Sequence, residues 1–266
     1  MSRAAPAPMT VATALQFLRR ERDLMVETIG DTDPRDRVVT APEWRLVDLV
    51  AHVSGVHRWA TAVVRDGRTE NLSDDELAPL FAGPGRRGSA ALQDWFATGV
   101  DRLATALEQA PDDLPAFTFL ADPLTPRLFW ARRQLHETTI HRVDALTARL
   151  GRLASTHEAD IDTAVAADGI DELVTGFVPR RRSRLRSDET FRFVIAPTDL
   201  DLAWTVTVSE EPPVVVREAA PDATAVISGT AAGVYLGLWN RGDDIAETGS
   251  EDALGLWRET VRISWV

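Results

Sequence analysis

Apolar positions recur at i, i+3, i+4 and i+7 through the first two-thirds of the chain, the period of amphipathic helices. "VATALQFLRRERDLMVETIG" carries that spacing from Val11 and stops at Gly30. "EWRLVDLVAHVSGVHRWATAVVRDG" repeats it and stops near Gly67. Ser89 offers an N-cap for "AALQDWFATGVDRLATALEQA", which ends before Pro111. Thr125 and Pro126 make a cap and first turn for a long helix that runs to Gly151. A fifth helical stretch, "IDTAVAADGIDELVTGFV", opens near Asp160. Four long amphipathic helices joined by loops predict an up-down bundle.

The period changes after Pro179. "RRRSRLRSD" reads as a solvated linker rather than an anion site. Beyond it, "FRFVIAP", "AWTVTVS", "PVVVREA" and "TAVISG" are short β-rich runs separated by turn residues. Helical "TAAGVYLGLWNRG" and "EDALGLWRETVRI" follow. Strands followed by helices predict a small α+β domain. The expected fold class is therefore α plus α+β, a helical domain over residues 1–180 and an α+β domain over 181–266. No internal repeat is visible.

Composition then removes chemistries one by one. A formal net charge of -12 disfavours nucleic acid, whose phosphates need a basic surface. No apolar run approaches the ~18 residues of a membrane span, so no membrane partner is expected. The opening "MSRAAPAPMT" lacks the apolar core of a secretory signal, which makes the cytoplasm the expected location. All 29 basic residues are arginine, so a Schiff-base lysine is unavailable. With no cysteine there is no disulfide, zinc-thiolate site or cysteine nucleophile. Any thiol chemistry must use a thiol supplied by a small molecule.

The segment "QLHETTIHRVDA", residues 134–145, resembles a zinc-protease motif but has the wrong spacing. That motif needs histidines four apart, whereas His136 and His141 are five apart, about 140° around a helix. Glu137 and His141 are four apart and within about 40° of each other. Asp144 falls about 20° from Glu137, on the same stripe. A catalytic zinc site commonly takes three protein ligands, so a third must come from elsewhere. His52, in the apolar "LVDLVAHVSGV", is placed to meet the fourth long helix across a bundle core. Plainer readings stand beside this one. A histidine in an apolar helix is usually a hydrogen-bonded core residue, and an i, i+4 Glu–His pair is usually a surface contact. His57 and His136 read as structural or exposed. Asp144 reads as an outer-sphere or salt-bridge residue.

"W-x-x-x-DLVAHV" (Trp44 to Val53) together with "RRQLHETTIHRVDA" resembles the mycothiol-dependent maleylpyruvate isomerase family, within the wider DinB-like group of four-helix metal proteins. "AVISGTAAGVYLGLWNRGD" resembles that family's C-terminal domain, which is similar in fold to sterol carrier proteins. The resemblance implies a divalent metal, typically zinc, held by His52, Glu137 and His141. It also implies an active-site arginine, matched here by Arg241 in "LWNRGD", where the plainer reading is a helix-end cation. The implied reaction is cis–trans isomerisation with mycothiol as cosubstrate: a thiolate adds to a double bond, the bond rotates, and the thiol is eliminated. The expected partners are this low-molecular-weight thiol and a small anionic electrophile. Arg133 is a second candidate for a substrate carboxylate, with a surface ion pair as the favoured reading. Alternatives on the same framework are a mycothiol S-transferase, a metal hydrolase, or a noncatalytic ligand-binding protein with a structural metal.

Overall fold

Chemically marked ends set the helices of the N-terminal half. The computed structural model of the protein describes residues 7–85, 88–120 and 124–262. It places α1 at Val11–Gly30, α2 at Leu46–Arg65, α3 at Asp74–Phe81, α4 at Ser89–Gln109 and α5 at Pro126–Leu150. Thr10 caps α1, its hydroxyl accepting from Thr13 N at 3.1 Å. Asp48 accepts from Arg45 N at 2.9 Å and closes the start of α2. Pro126 occupies the first turn of α5, and Gly151 ends it at φ 66°, a backbone position that favours glycine. The short α3 was not visible in the sequence, because its eight residues contain Pro79 and bury none of their side chains.

The four long helices form the expected bundle, with a different connectivity. α1 packs on α4 and α5, and α2 packs on the same two, so α1 and α2 stand across the diagonal. An up-down order would make consecutive helices neighbours. The 31–45 connection is long enough to cross the bundle instead, and it lies along α5, where Val39 N donates to Thr147 Oγ1 at 3.2 Å. The core is largely apolar: Leu18, Met25, Leu49, Val53, Phe96, Leu103, Trp130 and Leu135 are all nearly inaccessible. α5 is exceptional in burying Arg132, Arg133, Arg142, Glu137 and Asp144 as well.

The second compact unit begins at Ser155, not near residue 180 as expected. Its first helices are α6 (Thr156–Ala159) and α7 (Thr163–Asp171), the latter running into a π-helical turn at Glu172–Phe177. α7 packs on α8 (Ala231–Leu238), which in turn packs on the first and fourth strands of the sheet. Strands β1 (Phe191–Pro197), β2 (Trp204–Val208), β3 (Val214–Val216), β4 (Ala225–Gly229) and β5 (Ala246–Gly249) form one sheet in the order β3-β2-β1-β4-β5. β1 and β4 pair in parallel and every other pairing is antiparallel. α9 (Ala253–Thr260) drives Trp257 against Phe193, and the indole donates to Leu238 O at 2.8 Å. The arginine-rich segment is solvated as expected at Arg181, Arg182 and Arg184, while Leu185 is anchored in the core. No helix among the described residues is long and apolar enough to cross a membrane.

Candidate metal centre

His52 projects from the middle of α2, and Glu137 and His141 from successive turns of α5. The bundle brings the three together, with one donor atom from each lying within 4.8 Å of the others. Glu137 Oε1 is 3.1 Å from His141 Nε2 and 3.5 Å from His52 Nε2. The two imidazoles meet edge to face, with ring centroids 5.1 Å apart. Glu137 is buried, and the two histidines keep a small opening to solvent, at 13% and 12% exposed. Trp44 stacks at a tilt 4.8 Å from His52, and Phe81 lies 6.1 Å from the same ring. Trp44 belongs to the sequence pattern already noted, but the wall formed by Phe81 had no visible signal.

One further contact fixes the direction of His141. Its Nδ1 donates to Asp144 Oδ2 at 2.9 Å, and Thr40 donates to the other oxygen of Asp144. Asp144 thus engages Nδ1 and leaves Nε2 to face the cluster, the place an outer-sphere carboxylate would occupy. Burial opposes a charge on His141, but the Glu137 charge and the Asp144 hydrogen bond outweigh it and raise its pKa to about 9. Burial likewise opposes ionisation of Glu137. His141, His52 and Arg133 overcome it and hold the carboxyl well below the usual range. The protonated His141 ring therefore bridges two carboxylates, Nδ1–H donating to Asp144 and Nε2–H to Glu137; a metal ion would take the place of the proton on Nε2.

The residues fit such an ion. His52 Nε2 is buried and, although 3.5 Å from Glu137 Oε1, makes no hydrogen bond, a costly state for an imidazole nitrogen unless something else binds it. Donors held about 2.1 Å from a tetrahedral zinc stand about 3.4 Å apart, close to the separations around Glu137 Oε1. Two imidazoles and a carboxylate make a borderline donor set with room for an exogenous ligand. Among the described residues this is the one group of histidine and carboxylate side chains that converges in this way.

The remaining sequence candidates lie elsewhere. His136 is fully buried on another face of α5, outside the cluster, as its angular offset required. His57 is buried, its Nε2 2.9 Å from Thr138 Oγ1. Arg133 is not on the surface, as the favoured reading had it. It is 1% exposed and donates to Glu137 Oε2 at 2.7 Å. Arg241 lies just past α8 in the second unit, half-buried, and donates to Trp239 O at 2.8 Å. An open cleft of about 1130 Å³ runs along the first turns of α2, lined by Arg35, Arg45, Asp48, Ala51, Gly83 and Ser89. Ala51 precedes His52, but none of the three donor residues lines the cleft.

Comparison with known proteins agrees along the length of the chain. Residues 7–146 match the family described as the mycothiol maleylpyruvate isomerase N-terminal domain, and residues 164–259 match the MDMPI C-terminal domain. Two crystal structures of the mycothiol-dependent maleylpyruvate isomerase, one of them a histidine-to-alanine mutant, share the fold. Each has a TM-score of 0.61 and 17% sequence identity, and the match covers 92% of this chain and 96% of theirs. No curated protein matches.

Proposed function

The chain belongs to the mycothiol maleylpyruvate isomerase family, and from that premise we propose that it is a metal-dependent enzyme using a small-molecule thiol to isomerise an anionic electrophile of the maleylpyruvate type. The observation that carries the metal reading is the His52–Glu137–His141 cluster, in which three donor atoms converge and His52 Nε2, 3.5 Å from Glu137 Oε1, makes no hydrogen bond. A divalent ion bound there, typically zinc in the family, would lower the pKa of a thiol cosubstrate from about 8.5, so that thiolate is available at neutral pH.

His52 and His141 offer two neutral nitrogens, and Glu137 offers one oxygen. Asp144 holds His141 in the tautomer that turns Nε2 inward. Trp44 and Phe81 wall the His52 side of the site with apolar rings. The thiol adds to the cis double bond and leaves after rotation about the resulting single bond, so atoms and protons balance over the cycle. Because the chain has no cysteine, that sulfur comes from outside the protein. On the strength of the family motif, Arg241 is assigned to a substrate carboxylate, where a guanidinium supplies orientation as well as charge.

The test is metal content by plasma emission for wild type and His52→Ala, followed by turnover with and without mycothiol. About one equivalent of divalent metal, lost in the variant, together with strictly thiol-dependent isomerisation, is expected. Arg241→Ala should retain the metal and lose turnover. Accumulation of a thioether product would instead identify an S-transferase. A wild-type protein that neither carries nor takes up metal would overturn the metal reading.

A further inference from the structure

Glu137 divides its oxygens between different partners. Oε1 faces His141 and His52, while Oε2 accepts from Arg133 Nη2 at 2.7 Å. Arg133 stands one turn earlier on α5, and both side chains of the pair are sealed from water, at 2% and 3% exposed. A surface i, i+4 pair does little more than support its helix. A buried guanidinium keeps its charge and acts through a poorly screened medium.

We propose that Arg133 is a positioning residue for the metal centre: it restrains Glu137 to single-oxygen ligation and cancels its charge, which keeps the ion electrophilic toward an incoming thiolate. The proposal rests on the metal reading above and adds to it a reason for the open position. A carboxylate with both oxygens free can close on a divalent ion through both. With Oε2 engaged by Arg133, the second oxygen is withheld and that space is left for an exogenous sulfur. The charge balance points the same way. Two neutral imidazoles and a Glu137–Arg133 pair that sums to zero leave the double charge of the ion unanswered by its immediate ligands. Asp144 contributes one outer negative charge whether or not Arg133 is present, so it does not alter the comparison.

The experiment loads wild type, Arg133→Lys and Arg133→Met with Co²⁺. It records the visible absorption, whose intensity falls as coordination number rises, and the Co²⁺ dissociation constant by chelator competition. Arg133→Met is expected to lose absorption intensity and to bind Co²⁺ about tenfold tighter, because an uncancelled carboxylate attracts the ion more strongly. Arg133→Lys, which restores a cationic donor, should return both readings toward wild type. A role confined to stapling the helix would lower thermal stability in Arg133→Met and leave spectrum and affinity unchanged, which would overturn the proposal. If Arg133→Met does not fold, Arg133→Gln removes the charge but keeps a donor, and an unchanged affinity there is equally fatal. A wild-type protein that binds no Co²⁺ would overturn the metal centre itself, and this inference with it.

Discussion

Two histidines five residues apart on α2 end in opposite environments, and hydrogen-bond bookkeeping shows how. Thr138 has one hydroxyl proton and gives it to Gln134 O at 2.6 Å. It can therefore only accept from His57, which makes His57 Nε2 the donor and leaves Nδ1 as a buried lone pair with no partner. Burial pulls the His57 pKa from 6.5 down to about 3. Below pH 6.5 the unfolded chain takes up a proton at this residue while the folded protein does not, until about pH 3. The stability tied to neutral His57 is thus full above 6.5 and falls with acidification, by about 1.4 kcal/mol per pH unit. His57→Gln keeps a donor for Thr138 and removes the titration. Urea unfolding of both proteins should show the variant gaining on wild type, approaching that slope as the pH falls below about 6; parallel curves would mean that His57 is protonated or solvated in the folded state. Sequence alone marked His52 for its reach toward α5 but gave no reason for the fate of His57. The difference lies in what α5 presents opposite each ring, carboxylate at one level and hydroxyl at the other.

α5 shows which parts of an element a sequence makes legible. Its ends could be read directly, because Pro126 and Gly151 are backbone constraints that act locally. The Glu137–His141 spacing was legible for the same reason, since helical geometry alone places them together. The burial of α5 was not, because amphipathic periodicity registers apolar side chains and treats charges as solvent-facing. Here Arg133 meets Glu137, and Arg142 donates to Glu21 of α1, whose carboxylate also accepts from Arg20 at 3.1 Å. Paired charges can be buried, and a pattern that ignores pairing reads them as surface. The same blindness hid β5, whose "AETG" has no β-rich signature and owes its strand to the ladder with β4. At Gly249, φ 129°, a Cβ would lie 2.2 Å from Thr224 O, so the close approach of backbones decides the residue. For the α1–α5 pair the consequence is measurable. Glu21→Gln leaves the Arg142 charge buried without its carboxylate and should cost about 3–5 kcal/mol in urea unfolding. Glu21→Leu with Arg142→Met should recover most of that loss; a single variant within ~1 kcal/mol of wild type would show that water reaches the pair.

At the scale of the molecule, composition constrained chemistry more firmly than it constrained architecture. The unit boundary was expected near residue 180, where helical sequence gives way to strands. It lies at Ser155, because α7 packs with α8 and so belongs to the second unit. Secondary-structure texture changes where elements change, whereas units divide where packing changes, and only tertiary contacts report the second. The absence of cysteine depends on no packing at all. A chain with no cysteine has no thiol for an alkylating reagent to consume, and no lysine to stand in as nucleophile. Brief treatment with iodoacetamide, followed by its removal, should leave thiol-dependent turnover unchanged, while omission of the added thiol should abolish it. Loss of activity after such treatment would place an essential nucleophile on the protein, with an imidazole of the cluster the first suspect. Bound divalent metal should then protect against that loss, since a coordinated nitrogen has no lone pair to alkylate. Full activity with no thiol present would remove the thiol step from the mechanism and leave the metal centre to a different reaction.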